Sequence, residues 1–154
     1  PKDMRSESIQ LNNNVVLIND AYNANPDSMT ESLVLFKSLS ASNRRIAVLG
    51  DMNELGRYSE RAHKEVGAIV ANLGFDSVFF YGEEMKHAAK NASFCGMDKS
   101  KIHWLNNIDS LFEELNATLK DGDWILLKGS RLNKLEQVAK RLKDTIGTNN
   151  LKMN

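Results

Sequence analysis

Five short apolar runs, each giving way to a stretch with helical periodicity, constrain this chain more than any other feature. They are Val15-Val16-Leu17-Ile18, Ile46-Ala47-Val48-Leu49, Val78-Phe79-Phe80-Tyr81, Ile102-His103-Trp104-Leu105 and Trp124-Ile125-Leu126-Leu127. Runs of β-forming residues with little polar alternation suit strands buried on both faces. After them apolar residues recur at spacings of three and four, as in Met29, Leu33, Phe36 and Leu39, or Ala62, Val66, Ile69 and Leu73. Shorter stripes follow in Met85, Ala88, Ala89 and Ala92, in Leu111, Leu115 and Leu119, and in Leu135, Val138 and Leu142. Strand and helix in strict alternation predict an α/β fold, a Rossmann-like and mostly parallel sheet with helices on both faces. Ile9 and Leu11 alternate with polar residues before the turn signal Asn12-Asn13-Asn14, which adds an N-terminal antiparallel edge hairpin.

The helix ends carry their own signals. Ser28 with Glu31 three residues on reads as a capping box, Ser59 as the cap of the second helix and Gly74 as its stop. Asn107 or Asp109 caps the fourth. After residue 143 the chain is polar, and residues 144–154 are expected to form a frayed tail.

With 154 residues there is room for one domain. Twenty basic residues balance twenty acidic ones, which argues against a broad nucleic-acid footprint. The apolar runs are strand-sized, so no membrane span is expected. Cys95 is the single cysteine, which excludes an internal disulfide and suits a reducing, cytoplasmic setting. The chain starts at Pro1 and reads as a piece of something longer.

In parallel sheets ligands bind beyond the carboxyl ends of the strands. Three of the five strand exits hold more chemistry than a connector needs, and they are expected to share one rim. The first, residues 20–26, offers Asp20 to a ribose hydroxyl or a metal-bound water, and Asn23 and Asn25 to a base or phosphate, with Tyr22 between them. Each of these alone is an ordinary turn or cap residue; the set is a candidate site. The second, residues 50–56, has glycine at both ends and Asp51 and Glu54 inside, but lacks the lysine and hydroxyl of a P-loop. Met52 and Leu55 read as pins onto the core. The last, residues 128–131, puts Lys128, Ser130 and Arg131 ahead of a helix, where cations oppose the dipole by about 0.3–1 kcal/mol each. An anionic or carboxylate ligand would reverse that sign. His63, His87 and His103 lack metal-ligand spacing, so no metal site is assigned. His63 reads as a half-exposed surface residue and Cys95 as structural.

Three motifs together carry a resemblance. Asp20-Ala21-Tyr22-Asn23-Ala24-Asn25-Pro26-Asp27-Ser28-Met29, Leu49-Gly50-Asp51-Met52-Asn53-Glu54-Leu55-Gly56 and Leu127-Lys128-Gly129-Ser130-Arg131 look like the C-terminal domain of the Mur ligases, over about residues 1–142. Residues 1–6 resemble the hinge that joins this domain to a central P-loop ATPase domain, with Met4 where the family usually has glycine. The resemblance implies ATP-dependent amide formation in peptidoglycan precursor synthesis, through an acyl phosphate, with Mg2+ held mainly by the central domain. The Tyr-Asn-Ala-Asn-Pro version of the first loop implies the member that joins D-Ala-D-Ala to UDP-MurNAc-tripeptide, acting as a monomer. Matched position by position, Arg5 is the hinge arginine that approaches the γ-phosphate. Asp20, Tyr22, Asn23 and Asn25 fall in the segment that closes over the nucleotide. Asp51, Lys128, Ser130 and Arg131 fall in the loops that shape the amine-substrate pocket. Residues 7–143 are then the C-terminal domain, inactive alone. Two alternatives stay open, a relative with a different amine and a non-catalytic nucleotide- or anion-binding module. A phosphoacceptor receiver domain is excluded, because it needs an aspartate where Tyr81-Gly82 ends the third run.

Overall fold

The computed structural model describes residues 6–149. Its strands are β1 (Glu7–Gln10), β2 (Val16–Asp20), β3 (Arg45–Gly50), β4 (Ser77–Tyr81), β5 (Ile102–Leu105) and β6 (Trp124–Lys128). The helices are α1 (Pro26–Leu39), α2 (Ser59–Leu73), α3 (Met85–Phe94), α4 (Ile108–Thr118) and α5 (Glu136–Ile146). The six strands form one sheet in the order β1-β2-β6-β3-β4-β5. β1 pairs antiparallel with β2, and every other neighbouring pair is parallel. The expected α/β architecture with its edge hairpin is therefore the observed one.

Alternation along the strands divides the core into two layers. Ala47, Leu49, Val78, Phe80 and Leu126 pack under α1, α2 and α3. Leu17, Ile46, Val48, Phe79, Ile125 and Leu127 pack under α4 and α5. Helices thus cover both faces, three on one and two on the other.

Several local expectations shift. Asn25, not Ser28, caps α1: its side-chain oxygen accepts from Ser28 N–H at 2.9 Å, and its own N–H donates to Ser28 Oγ at 3.0 Å. Pro26 follows at the first helical position, where its missing N–H costs nothing. Met29, Leu33 and Phe36 are buried, whereas Leu39 is 53% exposed. At about 100° per residue Leu39 falls some 80° from Met29 around the helix, off the edge of the stripe. In α2 the buried set is Ala62, His63, Val66, Gly67 and Val70, while Ile69 and Leu73 are half-buried. The stripe is turned toward α3 because Gly67 has no side chain. A Cβ there would strike the carbonyl oxygen of Ala88. Gly74 ends α2 in the left-handed conformation at φ 76°, and Asn107 caps α4 by accepting from Ser110 N–H at 3.0 Å.

Residues 144–149 are more ordered than their polarity predicts. α5 runs to Ile146, Leu11 bridges to Thr148, and Asn149 N–H donates to Gln10 C=O at 3.0 Å. The side chain of Asn12 donates to Ile146 C=O at 2.9 Å. The turn before β2 thus ties down residues 146–149, a long-range contact that composition does not reveal. Arg5 and the rest of residues 1–5, with residues 150–154, lie outside the described residues.

Candidate functional site

The last strand in sequence sits between the first two parallel ones, in the order β2-β6-β3. Chains leaving β2 and β3 enter α1 and α2 on one face, while the chain leaving β6 reaches α5 on the other. Neighbouring strands whose connections part in this way open a crevice at their carboxyl ends. The three chemistry-rich exits are therefore adjacent, as expected, and β6 is the centre of their rim.

At that centre Asp20 and Lys128 are direct partners in the β2–β6 register. Lys128 Nζ donates to Asp20 Oδ2 at 3.0 Å, and Ser32 Oγ from α1 donates to the same oxygen at 2.7 Å. Lys128 is 3% exposed and Asp20 9%. A buried lysine needs a paired, hydrogen-bonded anion, and Asp20 supplies it. This corrects the dipole argument: a short 3-10 turn (Arg131–Asn133) and left-handed Lys134 separate Lys128 from α5, so its charge does not face that helix end. Both of Asp20's bonds fall on Oδ2, leaving Oδ1 free of them.

Ser130 closes the next link. Its hydroxyl hydrogen-bonds with the side-chain amide of Asn53, joining the loop after β3 to the loop after β6. Its N–H donates to Asn133 Oδ1 at 2.7 Å. Asn133 fills the space beside Gly50 and Gly129, where any Cβ would collide with it. Asn53 and Asn133 carry no periodic or spacing signal, which is why neither stands out in sequence. The glycines at 50 and 129 mark their place only once the two loops are known to touch.

The loop after β3 is held from both sides. Asp51 Oδ1 accepts from Met85 N–H at 2.9 Å, at the start of α3. Burial raises the Asp51 carboxyl above its ordinary value, against the pull of N–H groups at Met85 and Glu84. Gly82, at φ 118°, leaves room for this carboxylate. Burial, then the Asp51 charge, also raises the Tyr81 hydroxyl. Met52 is buried, a pin as expected. His63 is not a surface residue: it is 0% exposed, and its Nε2 accepts from Met52 N–H at 3.0 Å. Its Nδ1 lies 2.7 Å from Ser59 C=O. Ser59 is the first residue of α2 rather than its cap, and its hydroxyl donates to Glu84.

On the α5 side of the sheet, Tyr22 and Arg131 meet with the guanidinium 5.2 Å from the ring centre. They line a cavity of about 790 Å³ together with Asn19, Ala21, Leu132 and Glu136. Tyr22 is 43% exposed, so a ring face is open to a ligand. Asn19 Oδ1 is buried without a partner, an acceptor that a bound donor could satisfy. Asp20 faces the opposite layer and lines a separate cleft of about 300 Å³ with Ser32, Leu35 and Trp124. Of the residues matched to the nucleotide, Tyr22 shares its cavity with Arg131 and not with Asp20. Asn23 is exposed, and Asn25 is engaged as the α1 cap. Among the described residues no cluster of three or more His, Cys, Asp or Glu could hold a metal ion, and no helix is long and apolar enough to cross a membrane.

The family model for the Mur ligase glutamate ligase domain matches residues 4–131. The chain is 37% identical over 139 residues to the UDP-N-acetylmuramoyl-tripeptide--D-alanyl-D-alanine ligase of Bacillus subtilis, covering 90% of this chain and 30% of that one. It is 38% identical over 124 residues to the enzyme of the same name from Treponema pallidum, covering 80% and 27%. Among solved structures, MurF from Acinetobacter baumannii superposes with a TM-score of 0.77 at 26% identity, over 92% of this chain and 30% of that one. MurF ligase from Thermotoga maritima in complex with ADP shares the fold with a TM-score of 0.74 at 24% identity, over 92% and 31%. The chain thus spans about 30% of the length of the curated relative in Bacillus subtilis.

Proposed function

Since this chain belongs to the Mur ligase family through its glutamate ligase domain, we propose that it is the C-terminal domain of an ATP-dependent ligase that joins D-Ala-D-Ala to UDP-MurNAc-tripeptide. The observation that carries the reading is the Asp20–Lys128 pair at the switch point around β6, with Ser130 two residues on joined to Asn53 of the loop after β3. The names of the relatives in Bacillus subtilis and Treponema pallidum support this choice of substrates. The reaction passes through an acyl phosphate on the tripeptide carboxyl, which the dipeptide amine attacks. ATP supplies the phosphoryl group, and Mg2+ accompanies it, held by parts of the full-length protein outside the described residues. ATP and a nucleotide-linked substrate put the reaction in the cytoplasm.

In this reading the nucleotide base lies against Tyr22 in the cavity shared with Arg131. A flat, half-exposed ring and the unpaired Asn19 oxygen suit a purine with an exocyclic amine. Asn23, exposed on the same loop, reaches the ribose when the domains close, and Asn25 holds that loop to α1. Lys128 and Asp20 neutralise one another and fix the turn on which Ser130 presents its hydroxyl to the amine substrate. Asp51 shapes the neighbouring wall. Arg5, outside the described residues, approaches the γ-phosphate from the hinge. Closure then excludes water from the acyl phosphate.

The test is ligation by the full-length protein supplied with ATP, Mg2+, UDP-MurNAc-tripeptide and D-Ala-D-Ala. The expected result is one ADP per pentapeptide product, with no phosphate release above background from the 154-residue chain alone. Incorporation of a different amine in preference to D-Ala-D-Ala, or ATP hydrolysis by the chain alone, would overturn it.

A further inference from the structure

We propose that His63 is a positioning residue for the amine-binding edge, setting the loop after β3 from behind. The proposal rests on the ligase reading above, which assigns that edge to the amine substrate.

His63 is wholly buried, and both of its ring nitrogens are engaged with main chain. The Met52 N–H can only donate, so Nε2 accepts; the Ser59 carbonyl can only accept, so Nδ1 carries the proton. The imidazole is thereby fixed as the neutral Nδ1–H tautomer. It bridges the first turn of α2 and the second residue of the loop. Without it the Met52 N–H, just past the end of β3, would be left without this acceptor.

From Met52 the effect passes forward along two residues. Asn53 reaches across to Ser130, whose N–H and hydroxyl in turn engage Asn133. Glu54 then sits at φ 62°, a conformation that residues with a Cβ rarely adopt. A strained turn persists only where its surroundings over-determine it. Here the hold on one side is the His63–Met52 bond and on the other the Asn53–Ser130 bond. Asp51, one residue earlier, is held separately by Met85 N–H, and Glu84 is held by Ser59. His63 thus acts on Ser130 through the main chain, without touching any ligand.

A histidine that merely fills the core would be replaceable without regard to which nitrogen is mimicked. The asparagine amide reaches only the Nδ1 position, whereas the glutamine amide reaches the Nε2 position and can still accept from Met52. In the full-length enzyme His63→Asn should raise the KM for D-Ala-D-Ala about tenfold while the KM for ATP stays within about twofold, and His63→Gln should return the first to within about threefold of wild type. Hydrogen exchange of the peptide covering residues 50–56 should accelerate in His63→Asn and not in His63→Gln. Equal KM values in the two variants, or an ATP KM rising in step, would overturn the proposal. Should His63→Asn fail to fold, Asn53→Ala cuts the same chain further on and should show the same split; an unchanged amine KM there is equally decisive against it. If wild type ligates another amine, the functional reading falls, and unaltered exchange at residues 50–56 in His63→Asn is then the result that rejects the hold of His63 on the loop.

Discussion

Lys128 Nζ stands 3.0 Å from Asp20 Oδ2 across two neighbouring parallel strands, although 108 positions of sequence separate the two residues. Removing one partner strands the other charge in the protein interior. Lys128→Met is expected to cost about 3–5 kcal/mol, and the double variant Asp20→Asn/Lys128→Met to recover much of that loss. Urea unfolding of wild type, Asp20→Asn, Lys128→Met and the double variant checks it. Additive losses would show that the pair is not coupled.

The second prediction concerns pH. Burial raises the Asp51 carboxyl, so the folded state holds this proton more tightly than the unfolded chain does. Stability contributed through this group is therefore greatest below the ordinary aspartate value and falls as pH rises through the raised one. Asp51→Asn keeps an oxygen to accept from Met85 N–H and removes the charge. The variant should match or exceed wild type at neutral pH and lose that part of the pH slope. Denaturant midpoints measured across the acid range, from about pH 4 to 7, test the sign.

Gly67→Ala should destabilise, against the usual preference. In an exposed helix the change gains about 1 kcal/mol. Here the new methyl meets the carbonyl oxygen of Ala88, main chain that cannot swing aside. Overpacking of this kind costs about 1–3 kcal/mol, so a net loss is expected in the melting temperature. Gly74→Ala makes a useful contrast: that site is open, and only its left-handed φ of 76° resists the change.

How much of this was legible beforehand depends on the range of the interaction. Strand and helix periods are local, and they specified the sheet, both helical layers and the edge hairpin. The shared rim also followed, because every parallel strand points its carboxyl end the same way. What periodicity cannot reveal is that the strand beginning at Trp124 inserts between those ending at Asp20 and Gly50. Without that order Lys128 looks like a cation at a helix start, not half of a buried pair. His63 reads as a surface residue for a similar reason. Its helical position lies beside the stripe, and the close approach of α3 at Gly67 is what turns that side inward. In the sequence Asn25 reads as part of the ligand loop and Ser28 as the cap; the structure makes Asn25 the cap. Either residue type caps well, and only the backbone decides between them.

Asn25→Ala is accordingly expected to lower stability by about 1 kcal/mol through loss of the α1 cap. Ser28→Ala should cost a comparable amount, and the two should fall short of additivity because their bonds are reciprocal. A denaturant-based double-mutant cycle checks this. A full-length Asn25→Ala enzyme with an altered KM for ATP and unchanged stability would instead favour direct contact with the nucleotide.

The position of β6 also sets a timetable for the growing chain. On the ribosome, β2 and β3 emerge early but have no edge to share, because the strand that belongs between them is the last of the six to be made. Until synthesis passes Lys128, the sheet is two separate pieces, each with a bare edge that invites the wrong partner. No shortened product that stops before that residue can carry a partly working rim. The crevice, the buried ion pair and the joining of the two halves of the sheet thus all depend on the same five residues.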